Sequence, residues 1–244
     1  MENLYNMIFK RKSIRKYNND YLNDNDLDKI KEKLITLKPL IDDIKVDYKI
    51  VKKEETTSRF GQFCLLMYSE IKPNYLMNAG YLLEQMDLYL ESIGIGVCWC
   101  GLGKTEEKKY NNLEFVIMLA FGNTDEQFRN NISEFNRKDI NTIWKGDFDL
   151  EVKNIFRLAP SSCNTQPWFV ESNENCIKLY QDTNVKAFVS DELLTYSNQI
   201  DLGICIYFLD LGLNKKGYKY FRKISYNKKD SKSIEVAVYN IIKD

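Results

Sequence analysis

The same order of predicted elements occurs twice along the chain, and this repeat constrains the fold more than any single motif. Each half of the sequence predicts a pair of strands, one long apolar helix and then further strands. The spacing repeats too, since 67 residues separate Asp47 from Glu114 and the same number separates Trp168 from Glu235. We therefore expect an α+β fold made of two similar halves. Because the halves share little residue identity, coincidence among ordinary α+β elements is the alternative.

Hydrophobic periodicity and end signals assign the individual elements. Helices are predicted at Leu4–Lys10, from Asn23 or Asn25 to Leu37, and at Tyr75–Ile93, Leu150–Leu158 and Leu193–Asn214. Strands are predicted at Asp47–Val51, Gln62–Tyr68, Glu114–Phe121, Trp168–Glu171, Ile177–Gln181, Tyr218–Arg222 and Ile234–Ile241. The polar stretch from Gly122 to Asp149 has no clear period and predicts an extended arm or connection. We place the two halves at residues 1–145 and 146–244.

The complete absence of histidine narrows the chemistry. It excludes Ser-His-Asp and Cys-His nucleophiles, histidine-ligated zinc or iron, and an imidazole general base. Either the protein is not an enzyme or a bound group performs the chemistry. The 35 basic and 35 acidic residues give a net charge of zero, which argues against nucleic acid as a partner.

The cysteines and apolar runs bear on location. The six cysteines lie mostly in apolar surroundings without CxxC spacing, and Cys98-Trp-Cys100 is too isolated for a metal site, so we expect reduced thiols. The N-terminus is too polar for a secretory signal, and the longest apolar runs fall short of the roughly 20 residues that span a bilayer. We expect a soluble cytoplasmic protein with no metal and no membrane partner.

The segment Arg11-Lys12-Ser13-Ile14-Arg15, called the basic segment below, is the first candidate site. Three cations and a hydroxyl within five residues suit a phosphate, since arginine can bind it through two parallel hydrogen bonds. Ile14 indicates that the segment is packed, with alternate side chains on one side. The alternative is a solvated basic face at the end of a helix.

The segment Ala159–Trp168, called the motif loop below, is the second candidate. Its two prolines stiffen a loop rich in amide and hydroxyl groups, which suit a flat heteroaromatic ring. The alternative is a turn whose polar side chains only bond to its own backbone. A third segment, Gly94–Gly103, called the glycine loop below, contains four glycines that allow close approach to a ligand. It lacks GxGxxG spacing and could equally be a tight crossover.

Together these segments resemble the flavin-dependent nitroreductase family. The basic segment is similar to the family's N-terminal Arg-Arg-Ser-Ile-Arg motif, and the motif loop to its Ala-Pro-Ser-x-x-Asn-x-Gln-Pro-Trp motif. Gly96–Gly101 is similar to its glycine–tryptophan segment. The resemblance implies a nitroreductase-like fold, FMN as cofactor, and NADH or NADPH as electron donor. It also implies a ping-pong transfer of hydride through flavin N5 to a small acceptor such as a nitroaromatic or quinone.

The chain departs from the family in the position of its motifs. In the family they lie a few tens of residues apart in a chain that dimerises, and each FMN lies between two subunits. Here about 145 residues separate them, one in each half. The matching positions, Leu37–Asp43 and Lys145–Leu150, carry neither motif. We therefore expect a fused pseudo-dimer that mimics the family homodimer, is monomeric and binds one FMN.

The resemblance also implies residue roles. Arg11, Lys12 and Ser13 would bind the FMN phosphate and ribityl chain, and Arg15 would lie near the pyrimidine, where a cation stabilises negative charge at N1. Arg129 would reach the phosphate, with an exposed loop cation as the alternative.

The remaining cofactor-binding residues implied by the resemblance belong to the glycine loop and the motif loop. They are Cys100, Gly101 and Leu102 near N5, and Pro160, Ser161, Ser162, Asn164 and Gln166 along the ring. No side chain is expected to be catalytic, because the transfer takes place on the flavin. A non-catalytic FMN storage or sensor protein and a flavin-free scaffold are the competing interpretations.

Overall fold

The most apolar stretches of the sequence become the central strand of one sheet and the two longest helices. The computed structural model describes residues 2–228 and 232–242. The chain divides into two compact units, Met1–Glu134 and Phe135–Asp244. Both combine helices with a largely antiparallel sheet, which confirms the α+β class.

The first unit contains three helices and five strands among its described residues. They are α1 (Glu2–Met7), α2 (Asp24–Ile35), β1 (Val46–Lys52), β2 (Phe63–Ser69), α3 (Tyr75–Ser92), β3 (Gly96–Trp99), β4 (Lys109–Tyr110) and β5 (Leu113–Gly122). The sheet order is β1-β2-β5-β3, with β4 paired to β5, and all pairs are antiparallel.

Burial explains why β2 and α3 are central in this unit. Every residue of β2 is buried, as expected for an interior strand that is covered on both faces. Nearly all of α3 is buried, because it is apolar around most of its circumference. By contrast, α2 is amphipathic, buries Ile30, and begins with a capping box between Asn23 and Asp26.

The second unit has the remaining helices and strands that the structure describes. They are α4 (Ile140–Ile143), β6 (Trp144–Lys145), α5 (Leu150–Arg157), β7 (Trp168–Asn173), β8 (Cys176–Asp182), α6 (Asp191–Lys215), β9 (Lys219–Lys228) and β10 (Ser233–Ile242). The sheet order is β6-β7-β8-β10-β9, and only the short β6–β7 pair is parallel. Helix α6 is largely buried, and Phe156 of α5 packs edge-on against Trp144 and Trp168.

The two sheets share one strand order. In the first unit a strand pair (β1, β2) is followed by α3 and then by β3 and β5, with β5 next to β2. In the second unit the pair β7 and β8 is followed by α6 and then by β9 and β10, with β10 next to β8. Each unit therefore has a long buried helix between two strand pairs, and its last strand lies inside the sheet.

Three predicted elements differ from those observed. The glycine loop predicted at Gly94–Gly103 contains the strand β3, because Val97 and Cys98 pair with Phe121 and Ala120 of β5. The polar stretch expected to be an arm also contains α4 and β6. The helix expected to reach Lys10 ends at Met7. No helix in the described ranges is long and apolar enough to cross a membrane.

Candidate functional site

The basic segment has extended, irregular backbone that is fixed to the sheet of the first unit. The Ile14 N–H donates to the Val97 carbonyl of β3 at 2.8 Å, and the Asn18 N–H donates to the Asn123 carbonyl at 3.0 Å. The Ile14 side chain is fully buried, as the sequence predicts. A Cβ atom on Gly96 would lie 2.7 Å from Ile14 Cγ2, so glycine is required for this close approach. Ile14 therefore anchors the segment beside the start of β3.

Arg11 points into the protein and contacts α3. Its side chain is only 2% exposed. The guanidinium donates from Nε and Nη2 to the two Asp87 carboxylate oxygens at 3.2 and 3.3 Å. Burial lowers its pKa, but the nearby carboxylates of Asp87, Glu91 and Glu84 together raise the pKa above its ordinary value. In this geometry Arg11 forms a buried ion pair, and the expected phosphate contact of Arg11 stays a prediction.

The acidic residues around Arg11 lie on one face of α3. Glu84, Asp87 and Glu91 are spaced three and four residues apart, which places them on neighbouring turns. Burial, and then the charge of Asp87, raise the pKa values of Glu84 and Glu91 well above the ordinary range. Glu84 lies 3.9 Å from Arg11 Nε, beyond hydrogen-bonding distance, and neither of its oxygens has a hydrogen-bond partner among the described residues. This cluster is an internal support for the basic segment.

The other cations of the segment reach the surface. Lys12 Nζ lies 2.9 Å from Glu126 Oε2, and both side chains are about a quarter exposed. Arg15 is exposed, and its guanidinium carbon lies 5.8 Å from the centre of the Phe60 ring. Arg129 is tied to the segment, since its N–H donates to the Lys10 carbonyl at 2.8 Å and its guanidinium donates to the Arg11 carbonyl. The structure thus brings Lys12, Arg15 and Arg129 together around the same backbone.

The glycine loop contains β3, and the turn that follows this strand is exposed at Gly101 and Leu102. The Cys100 N–H donates to the Met118 carbonyl at 3.0 Å, which fixes the start of the turn. Burial raises the pKa of the Cys100 thiol, which packs against the Ser58 hydroxyl at 3.4 Å. Gly101 has open space on its Cβ side, and Leu102 is 71% exposed. Because Ile14 bonds to the same short strand, the basic segment and the glycine loop are neighbours in the first unit.

The motif loop in the second unit has an unusual backbone. Cys163, Asn164 and Gln166 have φ angles of +51°, +55° and +46°, in the left-handed region that non-glycine residues rarely occupy. Such strain persists only where surrounding contacts enforce it, and it clusters at functional sites. Two contacts fix the loop: within it, the Gln166 N–H donates to Ser161 Oγ at 2.8 Å, and from outside it, both oxygens of Asp201 on α6 accept from the Ser162 N–H at 3.0 and 3.1 Å.

The amide side chains of the motif loop accept hydrogen bonds from the polar segment that precedes it. Asn164 Oδ1 accepts from Arg137 Nη1 at 3.1 Å, and Gln166 Oε1 accepts from the Lys138 N–H at 2.8 Å. Arg137 also donates from Nε and Nη2 to the Leu158 carbonyl, each at 3.2 Å. Asn164 and Gln166 therefore shape the loop. Its more accessible groups are Pro160, Ser161, Ser162 and the exposed Cys163.

Three residues that support the motif loop are absent from the sequence-based site. Arg137 and Lys138 lie in the polar stretch to which the sequence assigned no role, and Asp201 lies in α6. Asp201 is 3% exposed, and burial raises its pKa to about 8, whereas the Ser162 N–H lowers it. One signal could have identified it: a carboxylate between Ile200 and Leu202 interrupts an apolar helix, and a buried charge needs a partner.

The described residues contain no group of three or more metal-ligating side chains that could hold an ion. The predicted ligands are divided between the units. Arg11, Lys12, Ser13, Arg15, Cys100, Gly101, Leu102 and Arg129 belong to the first unit, whereas Pro160, Ser161, Ser162, Asn164 and Gln166 belong to the second.

Comparison with known proteins gives one family and several solved structures. The family model described as "Putative TM nitroreductase" matches residues 3–213. A putative nitroreductase from Thermotoga maritima aligns with a TM-score of 0.66 and 19% identity, covering 98% of this chain and 93% of that chain. At this identity the likeness shows a shared fold.

Two shorter alignments involve putative NADH dehydrogenase/NAD(P)H nitroreductases. The protein from Bacteroides thetaiotaomicron aligns with a TM-score of 0.43 and 16% identity, covering 55% of this chain and 92% of that chain. The protein from Parabacteroides distasonis aligns with a TM-score of 0.42 and 14% identity, covering 57% of this chain and 99% of that chain. No curated protein matches the sequence.

Proposed function

This chain belongs to the family described as "Putative TM nitroreductase", and we propose that it is an FMN-dependent oxidoreductase. Its proposed electron donor is NADH or NADPH, and its proposed acceptor is a small molecule such as a nitroaromatic or a quinone. The observation that carries the proposal is the position of the basic segment, in which Arg15 is exposed and Lys12 is about a quarter exposed, and which is hydrogen-bonded to the glycine loop. The Ile14 N–H donates to the Val97 carbonyl of β3, the strand inside that loop.

The residues of the first unit fit the polar end of a flavin mononucleotide. Lys12 and Arg129 would bind the phosphate as cations, and the Ser13 hydroxyl would donate to it. Arg15 is exposed and can place positive charge beside the pyrimidine ring. Arg11 supports these groups by fixing the segment to Asp87, while its direct contact with phosphate remains a prediction. The backbone at Gly101 and Leu102 is open for a flat ring.

The residues of the second unit fit the ring of the same cofactor type. Ser161 and Ser162 would offer hydroxyl and amide groups from a rigid loop, and Pro160 would pack against the ring. Asn164 and Gln166 would act by holding the loop in shape, through their bonds to Arg137 and Lys138. That both sets of ligands serve one flavin stays a prediction.

A bound FMN would supply the hydride-transfer chemistry between the nicotinamide donor and the acceptor. The protein residues would bind and orient the cofactor. With no histidine in the chain, protons for the acceptor would come from water or from the bound substrate.

A spectroscopic experiment tests the proposed function. We expect the purified protein to show a flavin absorption spectrum, and NADH or NADPH added without oxygen to bleach it. Later addition of a quinone or nitroaromatic should restore the oxidised spectrum. Flavin that is retained but not bleached would indicate a storage or sensor protein. A protein that binds no FMN would contradict the proposal.

A further inference from the structure

The carboxyl group of Asp201 is enclosed in the second unit and directed at the backbone of the motif loop. The Ser162 N–H donates to Asp201 Oδ1 at 3.0 Å and to Oδ2 at 3.1 Å. The residues lie 39 positions apart, on an irregular loop and on α6. Asp201 is 3% exposed, and no ion pair involving it occurs among the described residues.

Within one turn on either side of Asp201, helix α6 carries no charged side chain. Asn198 precedes it by one turn, and the Asn198 amide oxygen has no hydrogen-bond partner among the described residues. Cys205 follows one turn later, and burial, then the nearby Asp201, raise the pKa of its thiol. A buried carboxyl group in such surroundings is costly unless it makes hydrogen bonds. The Ser162 N–H is the contact that the structure provides.

This contact lies next to the part of the motif loop whose backbone is strained. The hydrogen bond fixes the peptide group between Ser161 and Ser162, immediately before the left-handed residues Cys163 and Asn164. Strained backbone of this kind relaxes when an enforcing contact is removed. The same serines are the proposed ring ligands, so the orientation of their peptide bears directly on the site.

We propose that Asp201 is a positioning residue of the flavin site, whose carboxyl group holds the Ser161–Ser162 peptide and the left-handed turn after it in the binding conformation. This inference rests on the proposed function. It adds a residue outside all three motifs, which acts through the motif loop and does not touch the cofactor.

The test combines two variants with a matched control. Asp201→Leu keeps the branching of the side-chain heavy atoms but has no acceptor, whereas Asp201→Asn keeps an acceptor oxygen. Asp210→Asn is the control, because Asp210 is another buried aspartate of α6 that instead accepts from the Tyr239 hydroxyl at 2.9 Å and pairs with Arg222. For each protein, amide hydrogen exchange of Ser162 is measured without flavin, and the FMN dissociation constant is measured by titration.

We expect the Ser162 amide of the unaltered protein to be protected from exchange although it lies in an irregular loop. Asp201→Leu should accelerate its exchange and weaken FMN binding about 10- to 100-fold, the loss expected when a buried N–H is left without an acceptor. Asp201→Asn should restore both values to within about threefold, because one acceptor remains. Asp210→Asn should leave both unchanged.

Three results would overturn the inference. An unprotected Ser162 amide in the unaltered protein would show that the contact does not hold the loop, and this result needs no folded variant. Faster exchange in Asp201→Leu without a change in FMN affinity would separate the loop from the flavin site. Equal losses of FMN affinity in Asp201→Leu and Asp210→Asn would indicate general destabilisation. If the unaltered protein binds no FMN, the proposed function fails, and Ser162 exchange alone decides whether Asp201 holds the loop.

Discussion

At the scale of single residues, the basic segment and the motif loop each depend on a buried charged or titratable side chain. Arg11 belongs to the basic segment and is held by Asp87 of α3. Asp201 lies outside the motif loop and receives the Ser162 N–H. In each case a polar group inside the protein fixes an irregular backbone whose neighbouring groups are more accessible. In each segment, one set of residues therefore holds the backbone rigid, and a different set is available to contact a ligand.

Replacing Arg11 with methionine should destabilise the first unit. The change leaves the carboxyl groups around Asp87 without their buried cation, and breaking a buried ion pair typically costs about 3–5 kcal/mol. Urea denaturation of flavin-free protein measures this loss. Lys12→Met is the control, since the Lys12–Glu126 pair is partly exposed and such pairs contribute about 0–1 kcal/mol. If Arg11→Met keeps normal stability but loses FMN binding, Arg11 contacts the phosphate directly.

The stability of the protein should depend on the ionisation of Asp201. Burial raises its folded pKa to about 8 from an ordinary value of 3.8. At pH values between the two, Asp201 therefore stays protonated in the folded protein but is ionised in the unfolded chain. Stability should fall as pH rises from about 4 to about 8, with a slope of at most about 1.4 kcal/mol per pH unit.

Glu84 and Glu91 also have raised pKa values, and these also lower the stability of the protein as pH rises. The variant Asp201→Asn therefore isolates the contribution of Asp201 from theirs. Urea denaturation at pH 5, 6, 7 and 8 should show a shallower decline for the variant than for the unaltered protein. Parallel declines would contradict the assignment of the pKa near 8 to Asp201.

At the scale of elements, sequence periodicity predicts the long segments and misses the short ones. The two long helices and the apolar strands carry repeating patterns, and the structure contains all of them. By contrast, β3 has four residues and β6 two, too few for a pattern to develop. They form because partners distant in the sequence, β5 and β7, supply hydrogen bonds.

The candidate site shows the same limit. Its motifs are visible in the sequence because their residue types and spacing are unusual. The inward direction of Arg11 is set by Asp87, 76 residues away, so the motif alone does not reveal it. Likewise, the roles of Arg137 and Lys138 follow from the folding of a patternless polar segment against the motif loop.

The hydrogen bonds of Arg137 to Leu158 and Asn164 give a prediction for the polar segment. Arg137→Ala removes the donors to the Leu158 carbonyl and to Asn164 Oδ1. We expect a loss of about 1–3 kcal/mol in the free energy of unfolding, together with faster hydrogen exchange in the motif loop. Arg157→Ala is the control, since Arg157 is also half-buried but makes no side-chain hydrogen bond within the described ranges. Equal losses of stability in the two variants would contradict a specific role of the Arg137 hydrogen bonds in holding the motif loop.

At the scale of the whole molecule, the shared strand order of the two units supports the proposal of an internal duplication. Both units place a long buried helix between two strand pairs and insert the last strand into the sheet. The motifs are not duplicated: the basic segment occurs only in the first unit, and the motif loop only in the second. We therefore propose that the chain keeps one set of flavin ligands and binds one FMN.

Titration of flavin-free protein with FMN, followed by the change in flavin fluorescence, tests this account most directly. We predict saturable binding that ends at one FMN per chain. Absence of binding would contradict the proposed cofactor, and saturation at two FMN per chain would contradict a single set of ligands.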